Sequence, residues 1–321
     1  MTAKKSVLSF MFCALCMGFG VIGYTLWQDP YCGSCKSIDL NRYSVNSYYQ
    51  AAQVIKANPD AEVVIVGSSR GQGVSPEWLS EQLGKKVINL SVAGASVESK
   101  IAFIELAKKM SHLTEVIWLA DYFDILGDSK DIKLDSMELF KRDSSSGFKN
   151  ILAKISFGID HNNFEAAISG RAKTFTPKQG WGDVSEDCFQ STYKGKTSIE
   201  LLDKEVDLLY FNYKTGVFSP AESVWKKELV ASFLQNQRDL KVKIVILPYH
   251  PRFWSQLQID RPQVVENQRK WSQAFKAYPV EVFDFLEGLP EDDGSNKYWD
   301  DGVHLTCYGS FKLFEAVLKA E

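Results

Sequence analysis

A serine, a histidine and a carboxylate can together supply the nucleophile, general base and orienting acid of serine-type acyl chemistry. This chain carries candidates for all three in short segments at its opposite ends. Near the front, Val63-Val64-Ile65-Val66-Gly67-Ser68-Ser69-Arg70 is an apolar run that stops on two serines. Near the back, Asp301-Gly302-Val303-His304 sets a carboxylate three residues before a histidine, close enough to orient the imidazole from the same turn. Asp300 is an alternative orienting carboxylate. His304 is one of only four histidines, with His112, His161 and His250, and histidine as a residue type titrates near neutrality, which suits a general base. Between the two ends, Asn89-Leu90-Ser91-Val92-Ala93-Gly94-Ala95-Ser96 places a glycine just after another apolar run, where a backbone N–H can help bind an oxyanion.

Taken in this order, the three segments resemble the SGNH (GDSL-like) hydrolase superfamily. The resemblance makes Ser69 the nucleophile, with Ser68 standing where the family has Asp. It assigns Gly94 to the second block and Asp301 and His304 to the last. The backbone N–H groups of Ser69 and Gly94 would then hold the oxyanion. A Gly-Ser-Ser nucleophile block followed by a charged residue, behind an apolar N-terminal segment, resembles the membrane-anchored branch that includes the D-alanyl transfer protein of teichoic acids and alginate-type O-acetylation proteins. That likeness implies an acyltransferase or esterase acting on an extracytoplasmic polysaccharide, by O-acetyl transfer or removal. It implies an integral-membrane acyl-donor partner and no metal or organic cofactor. It covers residues 60–125 and 240–321. One block departs from the pattern. Where the family has Gly-x-Asn-Asp, with the Asn donating to the oxyanion, this chain reads Ile117-Trp118-Leu119-Ala120-Asp121-Tyr122-Phe123-Asp124. An ionised Asp121 only accepts hydrogen bonds. Either Tyr122 or another donor substitutes, or the hole has two donors, and loss of one donor costs about 10²–10³ in rate. The alternative reading is therefore a catalytically degenerate SGNH fold that binds glycan or scaffolds a polysaccharide-assembly complex.

The elements that must position these residues follow from the hydrophobic pattern. Apolar runs at 62–68, 86–92, 115–121, 241–248 and 280–285, rich in Val and Ile and closed by turn residues, read as buried parallel strands. Helical patterns cover 46–58, 97–110, 222–237, 262–277 and 307–320. This βαβ alternation predicts an α/β fold, a doubly wound parallel five-stranded sheet of SGNH/flavodoxin-like type. Ser69, Gly94, Asp121 and His250 all fall at predicted strand ends, where such sheets bind ligands. Residues 123–220 break the alternation and are too long for a plain loop, so they read as an inserted cap. The organisation expected is an anchor over 1–28, a linker over 29–45 and an SGNH-like domain over 46–321 that carries the insert.

The remaining signals concern place and substrate. The 321 residues carry a net charge of −3, which leaves no electrostatic footprint for nucleic acid. Residues 6–27 hold no charge; twenty-two helical residues at about 1.5 Å each reach roughly 33 Å, enough to span a bilayer core. Lys4 and Lys5 before the run favour the N-terminus inside, hence a single-pass cytoplasmic-membrane protein with a periplasmic or extracytoplasmic domain; a cleaved signal peptide is the alternative, for which the run is long and Tyr24-Thr25-Leu26-Trp27 a poor cleavage site. Cys13 and Cys16 fall within the run. Cys32, Cys35, Cys188 and Cys307 would meet an oxidising compartment. Cys32-Gly33-Ser34-Cys35 reads as a local disulfide or unpaired thiols, and Cys188 with Cys307 as a long-range bridge. Arg70 is a candidate contact for an anionic or carbonyl group, or else a surface ion pair. Asp121 and Tyr122 are weaker substrate candidates. His250, between Tyr249 and Pro251, either contacts substrate or is held structurally. Trp78, Trp254 and above all Trp299 are candidates for stacking on sugar.

Overall fold

The computed structural model describes residues 3–28, 47–92, 94–121, 124, 199–216, 224–237 and 239–320. By packing, the chain divides into two units, with the boundary between Ala57 and Asn58. The first holds α1 (Ala3–Gln28) and α2 (Ser47–Ala57). The described side chains of α1 begin at Ser9 and include Phe10, Phe12, Met17 and Phe19, all largely exposed. Thr25 Oγ1 donates to Val21 O at 3.0 Å, which satisfies the hydroxyl within the helix itself. Among the described residues no helix is long and apolar enough to cross a membrane.

The second unit contains a five-stranded parallel sheet in the order β2-β1-β3-β4-β5. Its strands are β1 (Val63–Val66), β2 (Val87–Asn89), β3 (Glu115–Ala120), β4 (Lys241–Ile246) and β5 (Glu281–Asp284). Every residue of β1, β2 and β3 is buried, as continuous Val/Ile runs require of strands covered on both faces. The edge strand β5 is only half covered. Two buried charges within the sheet are matched across neighbouring strands: Lys243 Nζ lies 2.6 Å from Glu115 Oε1. From β1 the chain winds outward one way to β2 and the other way to β3, β4 and β5. The order therefore reverses beside β1, where open α/β sheets place their ligand crevice at the strands' carboxyl ends.

The connecting helices are α3 (Pro76–Leu83), α4 (Val97–Ala107), α5 (Ile199–Gly216), α6 (Val224–Gln235), α7 (Pro251–Asp260), α8 (Pro262–Phe275) and α9 (Cys307–Lys319). Their starts are chemically marked. Ser75, Ser96 and Thr306 accept hydrogen bonds from the N–H groups of Trp78, Ser99 and Gly309, satisfying donors that the first helical turn leaves open. Pro76, Pro251 and Pro262 stand at first helical positions, where a missing N–H costs nothing. Helices α3 and α7 are additions to the pattern expected from sequence; both are short and amphipathic. Of the predicted insert, Asp124 closes the end of β3 and α5 packs on α7. Tyr210 of α5 donates to Gln256 O at 3.3 Å and Asp260 Oδ2 at 3.1 Å, and Arg252 of α7 forks onto Asp207 at 2.8 and 2.7 Å. The linker, the rest of the insert, Tyr122, Cys32, Cys35 and Cys188 lie outside the described residues.

Candidate active site

The β1 run ends at Val66, and the chain turns through Gly67 and Ser68 into a single 3-10 turn, Ser69–Gly71. Ser68 caps it: its hydroxyl accepts from Arg70 N at 3.3 Å. The turn needs glycine because it is pressed against its neighbours. A Cβ on Gly71 would collide with Ser91 Oγ and lie 2.6 Å from Leu119 Cδ1. Asn89, at the end of β2, fastens the turn to the sheet by donating to Gly71 O at 2.9 Å and Val74 O at 3.1 Å. Its own carbonyl accepts from Ser91 N at 2.9 Å.

The segment before α9 brings the other two groups to this turn. Asp301 Oδ1 accepts the backbone N–H groups of Val303 and His304, both at 2.8 Å, which folds residues 301–304 into a tight loop. Its second oxygen, Oδ2, meets His304 Nδ1 at 2.7 Å. His304 Nε2 in turn lies 2.8 Å from Ser69 Oγ. Serine, imidazole and carboxylate thus form one continuous relay between residues far apart in sequence. Burial pushes the Asp301 carboxyl up, but the hydrogen bond and charge of His304 and the two backbone donors outweigh it and hold it below the usual carboxylate range. The carboxylate therefore stays ionised beside the imidazole. The side chains of His304 and Asp301 are 32% and 24% exposed, so the relay opens to solvent and a substrate can reach it. Asp300 instead takes part through its backbone, donating its N–H to His304 O at 2.9 Å.

Ser69 N–H and Gly94 N–H have no acceptor among the described residues. Gly94 adopts a left-handed backbone, φ +64°, which favours glycine there. The backbone N–H of Val92, two residues earlier, donates to Gly67 O at 3.0 Å and ties this loop to the nucleophile turn.

Several expected substrate contacts turn out to be internal. Arg70 is 8% exposed, so it is neither a surface ion pair nor open to a ligand. Its Nε donates to Val303 O at 2.8 Å, Nη1 to Asp121 Oδ1 at 3.1 Å, and Nη2 to Pro248 O. Its guanidinium carbon sits 4.7 Å from the centre of the Tyr249 ring. Asp121 is 1% exposed and shared between Arg70 and Lys100, whose Nζ lies 3.0 Å from Oδ2. Lys100 also donates to Leu119 O at 2.9 Å and to Asp124 at 3.0 Å. Burial raises the Asp121 carboxyl, but the charges of Lys100 and Arg70 and the Ser68 hydroxyl prevail and hold it down. Burial likewise pulls Lys100 down, and the two carboxylates more than restore it. Asp124 is pushed up, first by burial and then by the nearby Asp121 charge. The position expected to carry an oxyanion donor therefore belongs to a buried two-cation, two-carboxyl cluster behind the triad.

His250 is also buried, 3% exposed. It caps α7, with Nδ1 accepting from Arg252 N at 3.1 Å, and Nε2 bonds Gly294 O at 2.8 Å. Burial holds its imidazole below the usual value. Trp299 is 1% exposed, and its indole N–H donates to Asp292 Oδ2 at 2.8 Å, so it packs rather than stacks on sugar. Trp254 is buried with its N–H on Glu287 at 3.1 Å, and Trp78 packs edge-on against Phe311 at 4.8 Å. Sequence reasoning missed Asn89, Lys100 and Asp124. The only signal of Asn89 and Asp124 was a polar or charged residue inside an apolar stretch at or just past a strand end, and that of Lys100 a charge within the helical pattern of 97–110.

Among the described residues no cluster of His, Cys, Asp or Glu is arranged to hold a metal ion. Cys307, three residues past His304, is disulfide-bonded; Cys13 and Cys16 are free.

No family model matches the chain, and no curated protein does. Solved structures give distant likenesses. A candidate platelet activating factor from Streptococcus pneumonia aligns at TM-score 0.40 and 14% identity, over 86% of this chain and 92% of the other. A candidate acylhydrolase from Bacteroides fragilis aligns at TM-score 0.33 and 14% identity, over 81% and 87%. A GDSL-like lipase from Bacteroides thetaiotaomicron aligns at TM-score 0.34 and 13% identity, over 84% and 98%. Likenesses this weak carry no weight for function, which has to be read from the site itself.

Proposed function

We propose that this chain is a serine esterase or acyltransferase of the SGNH (GDSL-like) type that transfers or removes an O-acetyl group on an extracytoplasmic polysaccharide. The observation that carries the chemistry is the unbroken relay from Ser69 Oγ through His304 to Asp301 at the carboxyl edge of the sheet. His304 Nε2 takes the Ser69 proton as Oγ attacks the ester carbonyl. Asp301 keeps the ring oriented and stabilises the imidazolium. Ser69 N–H and Gly94 N–H are the donors offered to the oxyanion. Collapse breaks the ester C–O bond, and His304 returns the proton to the leaving alcohol. The acyl-enzyme is then released to a sugar hydroxyl or to water, with His304 again as base. Transfer rather than hydrolysis requires an acceptor held close and water excluded.

The glycan and the acetyl group come from the Gly67-Ser68-Ser69-Arg70 block and the apolar N-terminal segment, through their resemblance to envelope O-acylation proteins. The extracytoplasmic setting draws support from two further features. Residues 6–27 are uncharged behind Lys4 and Lys5, and Cys307 is disulfide-bonded, a state that persists in oxidising compartments. An integral-membrane acyl donor is part of the same proposal. A second reading, a non-catalytic glycan-binding or scaffold protein, is favoured by one observation: Asp121 stands where an oxyanion donor is expected and faces Arg70 and Lys100.

The deciding experiment incubates the full chain with a chromogenic acetyl ester, with and without a short oligosaccharide, and follows its mass. An acetyl adduct on Ser69 that is absent in Ser69→Ala and His304→Ala establishes the triad, and acetylated oligosaccharide makes the protein a transferase. A folded chain that binds glycan equally well with and without Ser69 and never acquires an adduct would sink the catalytic reading in favour of the second.

A further inference from the structure

We infer that Arg70 is a positioning residue that holds the two halves of the triad in register from behind; the inference rests on the acyl-transfer reading above. Ser69 and His304 arrive on separate segments, and their reactive geometry depends on how those segments sit against each other. Arg70 belongs to the nucleophile's own 3-10 turn, directly after Ser69. Its Nε holds the carbonyl of Val303, directly before His304, at 2.8 Å. One side chain thus joins the backbone neighbour of the nucleophile to the backbone neighbour of the base. The other two arms fix the clamp to the sheet, on Asp121 past the end of β3 and on Pro248 O past the end of β4. The Tyr249 ring covers one face of the guanidinium at 4.7 Å.

The chemistry of the residue fits this task. A guanidinium presents rigid, planar, divergent donors and can hold three acceptors in one plane at once, whereas an ammonium is a point charge on a flexible stem. Its burial is made tolerable by Asp121, and Asp121 is itself shared with Lys100. Removing the Arg70 charge therefore leaves Asp121 with a cation, so the cluster does not collapse with the clamp. At 8% exposure Arg70 cannot meet substrate. Its effect must pass through the placement of Ser69 and His304, and displacement of about 1 Å in such a pair can cost roughly 10²-fold in rate.

The test measures covalent labelling of Ser69 by an alkyl fluorophosphonate in the full-length wild type and in Arg70→Lys, Arg70→Met and Arg70→Ala. Circular dichroism confirms that each variant is folded. We expect the maximal labelling rate to fall about 100-fold in Arg70→Met while the half-saturating probe concentration stays unchanged, because the clamp does not touch the probe. Arg70→Lys should fall between Met and wild type. Guanidinium or methylguanidinium added to Arg70→Ala should restore part of the rate by filling the vacated clamp, an effect that general destabilisation would not produce. If Arg70→Met fails to fold, Arg70→Lys and the rescue of Arg70→Ala carry the result. Wild-type labelling rates in folded Arg70 variants, or slow labelling that no guanidinium improves, would overturn the inference alone. A folded wild type that never labels at Ser69 would overturn the acyl-transfer reading and the inference with it.

Discussion

Under the proposed acyl chemistry the relay from Ser69 to Asp301 acts as a unit, so its members are not interchangeable with residues that merely share their charge. Asp301 spends one oxygen on the backbone of its own loop and the other on His304 Nδ1. Asp301→Asn would keep the size of the side chain but present an amide where an acceptor for the ring N–H is needed. By analogy with serine triads the loss should be about 10⁴-fold in turnover, read from the steady-state rate on a chromogenic acetyl ester; a loss under tenfold would remove Asp301 from the mechanism. Asp121 supports an opposite expectation from the one family likeness suggests. Asp121→Asn restores the side chain of the missing block, and if an absent donor were the whole defect it should raise activity. The structure shows Asp121 compensating two buried cations, Arg70 and Lys100. Taking its charge away leaves one cation short of a partner, a change that costs about 3–5 kcal/mol in comparable buried pairs. We therefore expect Asp121→Asn to lower both the urea midpoint and turnover, and a gain in turnover would show that the missing donor outweighs the charge balance of the cluster.

At the scale of elements, the site is built on segments that leave strand ends and are stapled to one another. His250 is one such staple: its ring caps α7 and bonds Gly294 O, and its backbone N–H donates to Gly302 O at 3.1 Å in the loop that carries Asp301. Its ring is held neutral, with burial pulling its proton affinity below the free value of 6.5. The unfolded chain therefore binds this proton first as pH falls. The stabilising contribution is fully present above pH 6.5 and declines as pH drops from there toward the folded-state value, at up to about 1.4 kcal/mol per pH unit. His250→Asn keeps a capping side chain but has no proton to take up. Thermal melts between pH 7 and pH 5 should fall more steeply for wild type than for this variant, and parallel curves would refute the assignment. The depressed carboxyls of Asp121 and Asp301 act in a separate, more acidic window. Phe253 is a second staple. It lies beneath Gly302, where any Cβ would come within 2.6 Å of its ring, and its other neighbours are Tyr249 and the α5 residues Tyr210 and Tyr213. Phe253→Ala should cost about 3–5 kcal/mol by denaturant unfolding and should also slow the site, because the floor under the Asp301 loop is gone. These staples were the illegible part of the sequence. The strands announced themselves by apolar runs, and Ser69, Asp301 and His304 by type and spacing. Nothing in Leu247-Pro248-Tyr249-His250 tells whether a histidine faces outward or caps the next helix. A charged residue such as Arg70 beside a candidate nucleophile reads as a ligand contact or a surface ion pair until the fold shows that its partners are three other segments.

For the sheet-bearing unit as a whole, the order β2-β1-β3-β4-β5 explains why Ser69 and His304 meet: one follows β1 and the other precedes the last helix on the carboxyl side of one parallel sheet. The alternation of strand and helix made a doubly wound parallel sheet readable but not the order of its strands, whereas the 123–220 region, with its mixed periodicity, read only as an insert and hid the amphipathic α5. Under the anchoring proposal, the placement of this domain relative to a membrane depends on residues 6–27. Residues 6–27 carry no charge and leave Phe10, Phe12, Met17 and Phe19 exposed, and burying such side chains in lipid would gain about 25 cal/mol per Å² of apolar surface. Under the anchoring proposal, the full chain should sediment with membranes and resist alkaline carbonate, and a chain beginning at residue 29 should stay in the supernatant. With Lys4 and Lys5 retained inside, protease added to intact spheroplasts should digest the domain bearing Ser69, and replacing both lysines with glutamate should reduce that accessibility by weakening the orientation signal. A shortened chain that still sediments with the membrane would move the anchor elsewhere in the molecule. A domain protected from external protease would place the chemistry on the cytoplasmic side and remove the extracytoplasmic glycan from the proposal, while leaving the Ser69–His304–Asp301 relay to find its ester there.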